Sequence, residues 1–299
     1  MLELLNDIIK NSGWYKSYFP HLREYWSVRA NSDFICIGSS PARCSIDFSE
    51  EDVIGSNLAV SPETISYDFK VLKEYHKYLK EGGYVLFVLC PFTFLKDKYR
   101  KEDGNKYYLN IRYYPILPKS EIEGCEDKLY EQWINPVTMG IKVWLRIIRF
   151  IIKNKEEKEN ILEAEEFENN AKQRIQLWKE EFKLSELIPS SINQDVVTSI
   201  ESNIDIFNQI VNFVRERKYK SVVIIPPFSE ELTQLIPQDF VEYTLFKPIR
   251  EIGIPFISYY KEKEWMKQEY YLNSFLMNKK GRKALTHDIV KRIMESEDK

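Results

Sequence analysis

Four short runs of consecutive apolar residues limit the folds that this chain can adopt. They are FICIG (34–38), YVLFVLC (84–90), SVVIIPP (221–227) and IPFISYY (254–260). Strands whose sheet carries helices on both faces are apolar throughout, whereas strands with one solvated face alternate apolar and polar residues. These runs therefore predict buried parallel strands, and SNLAV (56–60) is a fifth candidate.

Helical periodicity separates these runs. Apolar residues recur at spacings of three and four in two segments, one before YVLFVLC and one before SVVIIPP. They are Ile65, Phe69, Leu72, Tyr75 and Leu79 in the first segment, and Ile200, Ile204, Phe207, Val211 and Val214 in the second. Gly82 and Gly83 are predicted to end the first helix. The alternation predicts an α/β protein, a three-layer α/β/α sandwich on a mostly parallel sheet of about five strands.

The alternation of strands and helices breaks between residues 96 and 194. A polar, tyrosine-rich loop (96–114) comes first, and helical segments follow it. One of these segments places Phe167, Trp178 and Phe182 on a single face. We therefore predict one domain over residues 1–299, with a helical insertion or cap at 96–194.

The predicted insertion contains a basic helix, GIKVWLRIIRFIIKNK (140–155). Its cationic residues, Lys142, Arg146, Arg149 and Lys153, recur at spacings of four, three and four and form a stripe on an otherwise apolar helix. Such a helix can lie in an anionic membrane surface, or it can pack on the domain with its basic edge in water. Both interpretations are open on the sequence.

Charge and composition exclude several classes of protein. The 43 basic and 46 acidic residues leave a net charge of -3, so no broad cationic surface is available for nucleic acid. The first residues lack the pattern of a signal peptide, and no run approaches the ~20 apolar residues that span a bilayer. The four cysteines lack CxxC spacing, which indicates reduced thiols. We expect a cytoplasmic protein without cofactor or metal, since nucleotide-binding motifs and metal-ligand spacings are missing.

The first predicted strand ends in GSSPAR (38–43), ahead of a short predicted helix. At the carboxyl end of a parallel strand, Gly38, Ser39 and Arg43 can present hydrogen-bond donors to the crevice in which such sheets bind ligands. Ser40 can be a nucleophile whose oxyanion is held by its own N–H. A Gly-Ser-Ser turn is also an ordinary junction between a strand and a helix.

Five blocks in fixed order resemble the SGNH (GDSL-like) hydrolase superfamily. They are ICIGSSPARCSID, SNLAVSPETISYDFKVLKEY, YVLFVLCPFTF, VVIIPPF and LNSFLMNKKGRKALT. The chain is most similar to the bacterial branch associated with surface-polysaccharide and cell-wall acylation, in which the first block reads G-S-S. The resemblance covers residues 30–95 and 220–295. It implies an SGNH-type α/β fold with Ser40 at the position of the nucleophile.

The middle blocks depart from the family pattern. The resemblance implies an oxyanion-binding Gly in the second block, where Ser61 is the nearest candidate and Asn57 is better suited to holding the turn. In the third block the family has an oxyanion-binding Asn, and this chain has Pro91, Phe92 and Thr93 instead. Thr93 is the polar candidate there, so one oxyanion donor is left unassigned by the resemblance.

The last block lacks the residues that handle protons in this family. The family pattern is Asp-x-x-His, then Leu-Asn, then Gly. Aligned on MNKKG (277–281), it puts Asn273 at the acid and Leu276 at the base. Leucine accepts no proton, and an asparagine amide cannot orient an imidazole as a carboxylate does. Among the three histidines, His287 is the candidate for a substitute base.

Two functions follow from the resemblance. The favoured one is a non-catalytic protein, linked to bacterial surface-polysaccharide metabolism, that binds a glycan, an acylated carbohydrate or a partner protein. The tyrosine-rich insertion could then line the groove. The alternative is an active serine esterase or O-acyltransferase that acts on a glycan through Ser40, with His287 or a residue of the insertion as base. Contact with an anionic membrane through residues 140–155 is compatible with the favoured function.

Overall fold

The computed structural model of the protein describes residues 2–95, 108–153 and 161–297. The chain divides into two compact units. The helical unit combines Met1–Ser27 with Tyr99–Glu159, and the α/β unit combines Val28–Lys98 with Asn160–Lys299. Among the described residues, 2–27 group with 108–153 and 161–194 group with the sheet, so the two units do not coincide with the predicted insertion at 96–194.

Within the described residues, the α/β unit contains a five-stranded sheet in which all strands are parallel. The strands are β1 (Ser32–Gly38), β2 (Gly55–Asn57), β3 (Leu79–Val88), β4 (Lys220–Ile225) and β5 (Phe256–Ser258). Their order across the sheet is β2-β1-β3-β4-β5. Each strand overlaps one of the five predicted apolar runs, so the predicted α/β fold is confirmed.

The helices of the described residues are numbered in chain order. They are α1 (Leu2–Lys10), α2 (Gly13–Tyr18), α3 (Leu22–Ser27), α4 (Ser40–Ser45), α5 (Ile65–Tyr75), α6 (Asp127–Ile134), α7 (Ile141–Lys153), α8 (Phe167–Glu181), α9 (Gln194–Glu216), α10 (Glu230–Gln234), α11 (Gln238–Val241), α12 (Lys247–Ile252) and α13 (Lys279–Glu297). The first three, α6 and α7 belong to the helical unit, and the others belong to the α/β unit.

Helices cover both faces of the sheet, which explains the unbroken apolar runs in the later parts of β1, β3 and β4. Alternate residues of a strand point to opposite faces. Phe34 and Cys36 of β1 lie with Leu86 of β3 in a buried cluster that α4 and α13 close. On the other face, the ring of Phe87 contacts that of Phe207 on α9, with 5.1 Å between centroids. α5 packs beside α9 on that face. The sheet is therefore the central layer of a three-layer α/β/α sandwich.

One predicted boundary is wrong. Gly82 and Gly83 do not end the first helix, because α5 ends at Tyr75, a 3-10 turn follows, and β3 begins at Leu79. The two glycines lie inside β3, where Gly82 has φ +69° and the pairing with β1 shifts register. Leu79 continued the apolar spacing of the helix although it is buried as a strand residue.

The helical unit has an aromatic core of its own. The indole ring of Trp14 on α2 stacks on that of Trp133 on α6, with centroids 5.6 Å apart. Next to it, the hydroxyl of Tyr15 donates to the carbonyl oxygen of Trp133 at 2.7 Å. These contacts tie the amino-terminal residues to α6, so residues 1–27 are part of this unit rather than an extension of the sheet domain.

Parts of two predicted features lie outside the described residues. They are residues 96–107 of the tyrosine-rich loop and the last two residues of the basic segment 140–155. The rest of the basic segment contains α7, as its periodicity predicts. In the described ranges, no helix combines the length and the apolar character needed to cross a membrane.

Candidate functional site

The sheet has its topological switch point between β1 and β3. From β1 the chain passes to β2 on one side, and it later returns to β3 on the other side. Ligands of open parallel sheets bind at the carboxyl ends of the strands that flank such a point. The GSSPAR turn (38–43) follows β1 and Thr93 follows β3. Both therefore lie at the edge where the fold offers a crevice.

Gly38 is required for the close approach of β1 to β3. Its φ is +138°, which is strained for a residue with a side chain. A Cβ at this position would lie 2.8 Å from the carbonyl oxygen of Val88 and 3.0 Å from Cβ of Ala42. Glycine thus allows the chain to turn directly from β1 into α4, and this turn places Ser39 and Ser40 at the carboxyl edge.

The serine turn is joined to the loop after β2. The hydroxyl oxygens of Ser40 and Ser61 lie 2.5 Å apart in a hydrogen bond. The N–H of Glu63 donates to the hydroxyl of Ser39 at 3.2 Å. The Glu63 carboxylate is buried and accepts from the N–H of Val60 at 3.2 Å. The structure therefore brings together Ser39, Ser40 and Ser61, which the sequence assigned to one site.

The hydrogen bond between Ser40 and Ser61 does not activate a nucleophile. A serine hydroxyl must lose its proton to a base as it attacks an acyl group. Ser61 offers a hydroxyl group, which is no stronger a base than Ser40 itself. Within the described residues, Ser61 is the hydrogen-bond partner of Ser40. Both side chains are half-buried, so the hydroxyl pair remains accessible to a ligand.

Asn57 holds the turn after β2 instead of facing a ligand. Its amide nitrogen donates to the carbonyl oxygens of Ala42 and Ile46, at 3.0 Å and 2.9 Å. Its amide oxygen accepts from the N–H of Ala59 at 3.1 Å. Both polar ends of this buried side chain are thus used within the protein. Asn57 fixes the distance between α4 and the end of β2, and hence the position of the serine turn.

The segment after β3 contributes a turn and an aromatic ring in place of an oxyanion donor. The hydroxyl of Thr93 accepts from the N–H of Cys90 at 2.9 Å and donates to its sulfur at 3.5 Å. Thr93 is therefore engaged in closing this turn. Phe92 is buried with 1% of its surface exposed. An aromatic side chain thus follows β3 where the resemblance would have an asparagine.

The loop from Tyr271 to Met277 is closed by the residue at the acid position. The amide oxygen of Asn273 accepts from the N–H groups of Phe275 and Leu276, each at 3.0 Å. Tyr271 and Met277 form an isolated antiparallel bridge at the base of the loop. Leu276, which the family alignment would put at the base position, is half-buried and aliphatic. Asn273 therefore shapes the loop, and neither residue supplies a proton acceptor.

The Asn and Gly of the family pattern, here Asn278 and Gly281, lie at the start of the final helix. The amide oxygen of Asn278 accepts from the N–H of Gly281 at 2.9 Å, which is the bond of an N-cap residue at α13. Its amide nitrogen donates to the carbonyl oxygen of Glu269 at 2.8 Å. A Cβ at Gly281 would clash with the carbonyl oxygen of Tyr270. This part of the pattern is therefore explained by helix capping and packing.

None of the three histidines has Ser40 as a hydrogen-bond partner. His287 is exposed on α13, with Nδ1 3.3 Å from the carboxylate of Glu51. His76 lies at the amino-terminal edge of the sheet, where Nδ1 is 3.5 Å from the hydroxyl of Tyr219. His21 is buried in the helical unit and contacts a main-chain carbonyl oxygen there at 3.0 Å. The substitute base predicted at His287 is thus paired elsewhere.

Cysteine chemistry is also disfavoured at this edge. Burial raises the pKa of Cys36 well above its ordinary value, and nearby carboxylates raise it further. Burial raises the pKa of the Cys44 thiol on α4 as well, although the charges of Arg43 and Arg282 oppose the change. Both thiols are therefore protonated at neutral pH and poor nucleophiles. Arg43, which was predicted to bind a ligand, is thus close enough to Cys44 for its positive charge to lower the pKa of that thiol.

An aromatic cluster, not predicted from the sequence, lies beyond the carboxyl ends of β3 and β4. The ring of Phe92 stacks on Trp178 of α8, with centroids 4.1 Å apart, and Trp178 meets Phe275 edge-on at 5.1 Å. The cluster comprises Phe92, Trp178, Phe182, Phe228, Phe240 and Phe275. Arg174 of α8 stands 5.3 Å from the ring centroid of Phe275. Apolar rings thus connect the third block with the last one.

The signals for this cluster were present but dispersed. Trp178 and Phe182 share one face of a helix that we predicted to cap the domain. Phe92 and Phe228 follow directly after apolar strands. The local sequence pattern does not predict that Trp178 and Phe182 contact Phe92 and Phe228, since these contacts join distant parts of the chain.

Comparisons with known proteins leave the family open. No protein-family model matches this chain, and a search of curated proteins finds no match. In the described part of the chain, no group of three or more His, Cys, Asp or Glu residues is placed to hold a metal ion. Membership of the SGNH superfamily therefore stays a prediction, and the parallel α/β sandwich is the level at which the fold is established.

Proposed function

We propose that this chain is a non-catalytic, SGNH-like binding protein whose ligand is a glycan or acylated carbohydrate. One observation carries the proposal: the hydroxyl of Ser40 is paired with the hydroxyl of Ser61. The family resemblance supports it, because the alignment puts an aliphatic residue, Leu276, at the base position. Acyl transfer through serine needs a proton acceptor within hydrogen-bond reach. A serine turn in which no described carboxylate or imidazole bonds the serine hydroxyl is better suited to binding than to reaction.

The groups at this edge suit a carbohydrate. Ser39, Ser40 and Ser61 are half-buried, and their hydroxyls can both donate to and accept from sugar hydroxyls. Phe275 and Arg174 are half-buried at the aromatic cluster. A partly open ring next to a cation can take the apolar face of a sugar and an acidic substituent. The resemblance to glycan-acylating proteins supports the same ligand class.

Hydrolysis is the first property to measure. The wild-type protein and Ser40→Ala are treated with a fluorophosphonate probe and with p-nitrophenyl acetate. We expect no labelling, and equal turnover by the two proteins, because no base activates Ser40. Ser199→Ala on α9 is the matched control, since this serine bonds only within its own helix among the described contacts. Labelling and turnover that disappear in Ser40→Ala alone would contradict the proposal.

A second experiment asks whether the missing pair can be rebuilt. In Asn273→Asp, a carboxylate oxygen can accept the same two N–H groups, and the second oxygen is available to orient a ring three residues on. We expect the fold to tolerate Leu276→His, because position 276 is half-buried. We expect the double variant to hydrolyse p-nitrophenyl acetate above the wild-type rate, and Ser40→Ala to abolish the gain. No gain would mean that the crevice is unsuited to acyl transfer in other ways.

Binding is measured on an array of acetylated and unacetylated bacterial oligosaccharides. The variants are Ser40→Ala with Ser61→Ala, and the control is again Ser199→Ala. Loss of two hydrogen-bonding hydroxyls is expected to weaken the retained glycan about tenfold, which is about 1.4 kcal/mol. Equal binding by the double variant and the control would exclude this edge as the binding site.

The alternative function, an active serine esterase or O-acyltransferase, is favoured by one observation. Glu63 is a buried carboxylate in the loop after β2, the same loop whose Ser61 hydroxyl bonds Ser40 and whose Glu63 N–H bonds Ser39. If it received the proton of Ser40 through the Ser61 hydroxyl, the site would have a base that the family pattern lacks. Glu63→Gln retains the shape and removes the basicity. The alternative requires Glu63→Gln and Ser40→Ala to abolish turnover alike.

A further inference from the structure

Helix α7 of the helical unit leaves most of its apolar surface uncovered. Val143 is its one fully buried side chain. Five large aliphatic residues are between 48% and 72% exposed, and they are Ile141, Leu145, Ile148, Ile151 and Ile152. At about 100° per residue they occupy a continuous arc of about 120°, which also holds the half-buried Trp144. A contiguous exposed apolar strip of this kind marks an interaction surface.

A basic strip borders the apolar one. It consists of Lys142, Arg146, Arg149 and Lys153, which are all exposed and fall in an adjoining arc of about 60°. No acidic residue of the described ranges forms an ion pair with any of them. Arg146 lies over the ring of Trp14, 5.8 Å from its centroid. Four cationic side chains on one side of this 13-residue helix are therefore available to bind an anionic surface or ligand.

A cavity opens on the basic side of α7, within the helical unit. Its volume is about 610 Å³, within the range of small-ligand sites. Arg146, Arg149 and Lys153 line it together with Trp14 and Trp133, and no described carboxylate does so. Two guanidinium groups and an ammonium suit a phosphate, because each arginine can bind two phosphate oxygens at once and lysine adds a further positive charge. The aromatic walls suit the glycerol part of a lipid headgroup.

We propose that α7 docks the protein on an anionic phospholipid membrane. The aliphatic strip enters the interface between headgroups and acyl chains, and the cavity receives one phosphate headgroup. A helix of this length measures about 20 Å, whereas the hydrocarbon core is about 30 Å thick, so α7 lies in the membrane plane. This proposal is independent of catalysis or binding at the Ser40 edge, which belongs to the α/β unit.

The charges favour a membrane over a second copy of the chain. In a twofold dimer built on this face, the basic strip of one copy would lie in the same interface as that of its partner. Like charges in a common interface repel, whereas an anionic bilayer neutralises them and accepts the aliphatic strip. The membrane is thus the occupant that satisfies both strips.

Vesicle flotation of the full chain tests the proposal. We compare vesicles of phosphatidylcholine with vesicles that contain about one quarter phosphatidylglycerol, at about 0.1 M salt, where charges act over about 10 Å. The protein is expected to float with the anionic vesicles only, and to be released at about 1 M salt, where that distance falls to about 3 Å. Equal flotation with both vesicle types, or none with either, would overturn the proposal.

Two variants with matched controls locate the contact. Arg146→Gln with Arg149→Gln removes two charges from the cavity and is expected to lower partitioning at least tenfold. Its control is Lys267→Gln with Lys291→Gln, which removes two exposed charges from the α/β unit. Circular dichroism verifies that each variant is folded. Equal losses in the charge variant and its control would overturn the proposal, since net charge alone would then explain binding.

The aliphatic strip has a control of equal exposure. Ile148→Ser and Leu177→Ser each replace a residue that is 52% exposed, the first on α7 and the second on α8. Only Ile148→Ser is expected to weaken flotation, by about tenfold. A different outcome is that the wild-type protein does not bind vesicles but is a dimer by light scattering, and that Ile148→Ser dissociates this dimer. The face would then be an interface between two copies of the chain. If inorganic phosphate bound the protein but no vesicle did, the cavity would be a site for a free anion.

Discussion

Phe92 is the residue whose removal tests the aromatic cluster most directly. It lies in the segment 91–93, where the family resemblance would have an oxyanion-binding asparagine, and it is 1% exposed. Its ring contacts three others, Trp178 at 4.1 Å, Phe182 at 5.8 Å and Phe240 at 5.5 Å. Phe92→Ala therefore opens a cavity at the centre of the cluster and deprives all three rings of a neighbour.

The expected cost follows from that environment. Truncation of a buried phenylalanine to alanine lowers the free energy of unfolding by about 3–5 kcal/mol. Ring pairs contribute about 0.5–1.5 kcal/mol each within that total, and Phe92 has three, so we expect the upper half of the range. Phe92→Leu keeps most of the apolar volume but loses the stacking with Trp178, and should cost about 1–2 kcal/mol.

Urea unfolding measures both variants. The midpoint is followed by far-UV circular dichroism, and hydrogen exchange of β3 assigns the transition to the α/β unit. Phe256→Ala is the control, since Phe256 is 39% exposed on the edge strand β5 and should cost less than about 1 kcal/mol. If Phe92→Ala cost no more than Phe256→Ala, the cluster would not be a packed part of the fold.

Three further outcomes are expected. Gly38→Ala should lose more than about 1 kcal/mol in urea unfolding, since φ is +138° and the new Cβ would meet the carbonyl of Val88; an unchanged midpoint would refute this. Asn278→Ala should lose about 1–2 kcal/mol and fray the start of α13 in hydrogen exchange, whereas Asn278→Asp should retain the cap. Burial, with the charge of Glu231, raises the pKa of Tyr271 well above its usual value. Its contribution to stability is thus present below about pH 10 and lost above it, so Tyr271→Phe should flatten the fall in urea midpoint between about pH 9 and pH 11.

The layers of the fold were predictable because a strand that is buried on both faces reads as a run of consecutive apolar residues. The β1, β3 and β4 strands each overlap their predicted run, and their buried later parts are apolar whereas their first residues are partly polar. The end of α5 was not predictable in the same way. Leu79 fits helical spacing and strand burial equally well, and the register shift that accommodates Gly82 depends on pairing with β1.

The candidate site was predictable in part. The order of the blocks placed Ser39, Ser40 and Ser61 together, because successive parallel strands end at one edge of the sheet. The partner of Ser40 was not predictable, since it depends on how the loop after β2 meets the serine turn. Trp178 could not be placed either. In the sequence it fits the apolar face of an amphipathic helix, and only tertiary packing brings it into contact with Phe92.

The loop between Tyr271 and Asn278 owes its shape to two amide side chains. Asn273 ties its tip, and Asn278 ties its exit to the final helix. Position 276 takes part in these hydrogen bonds only through its backbone, so its side chain can vary without the loss of any of them. A loop held in this way can exchange the chemistry of its central side chain through a single replacement while its backbone stays intact.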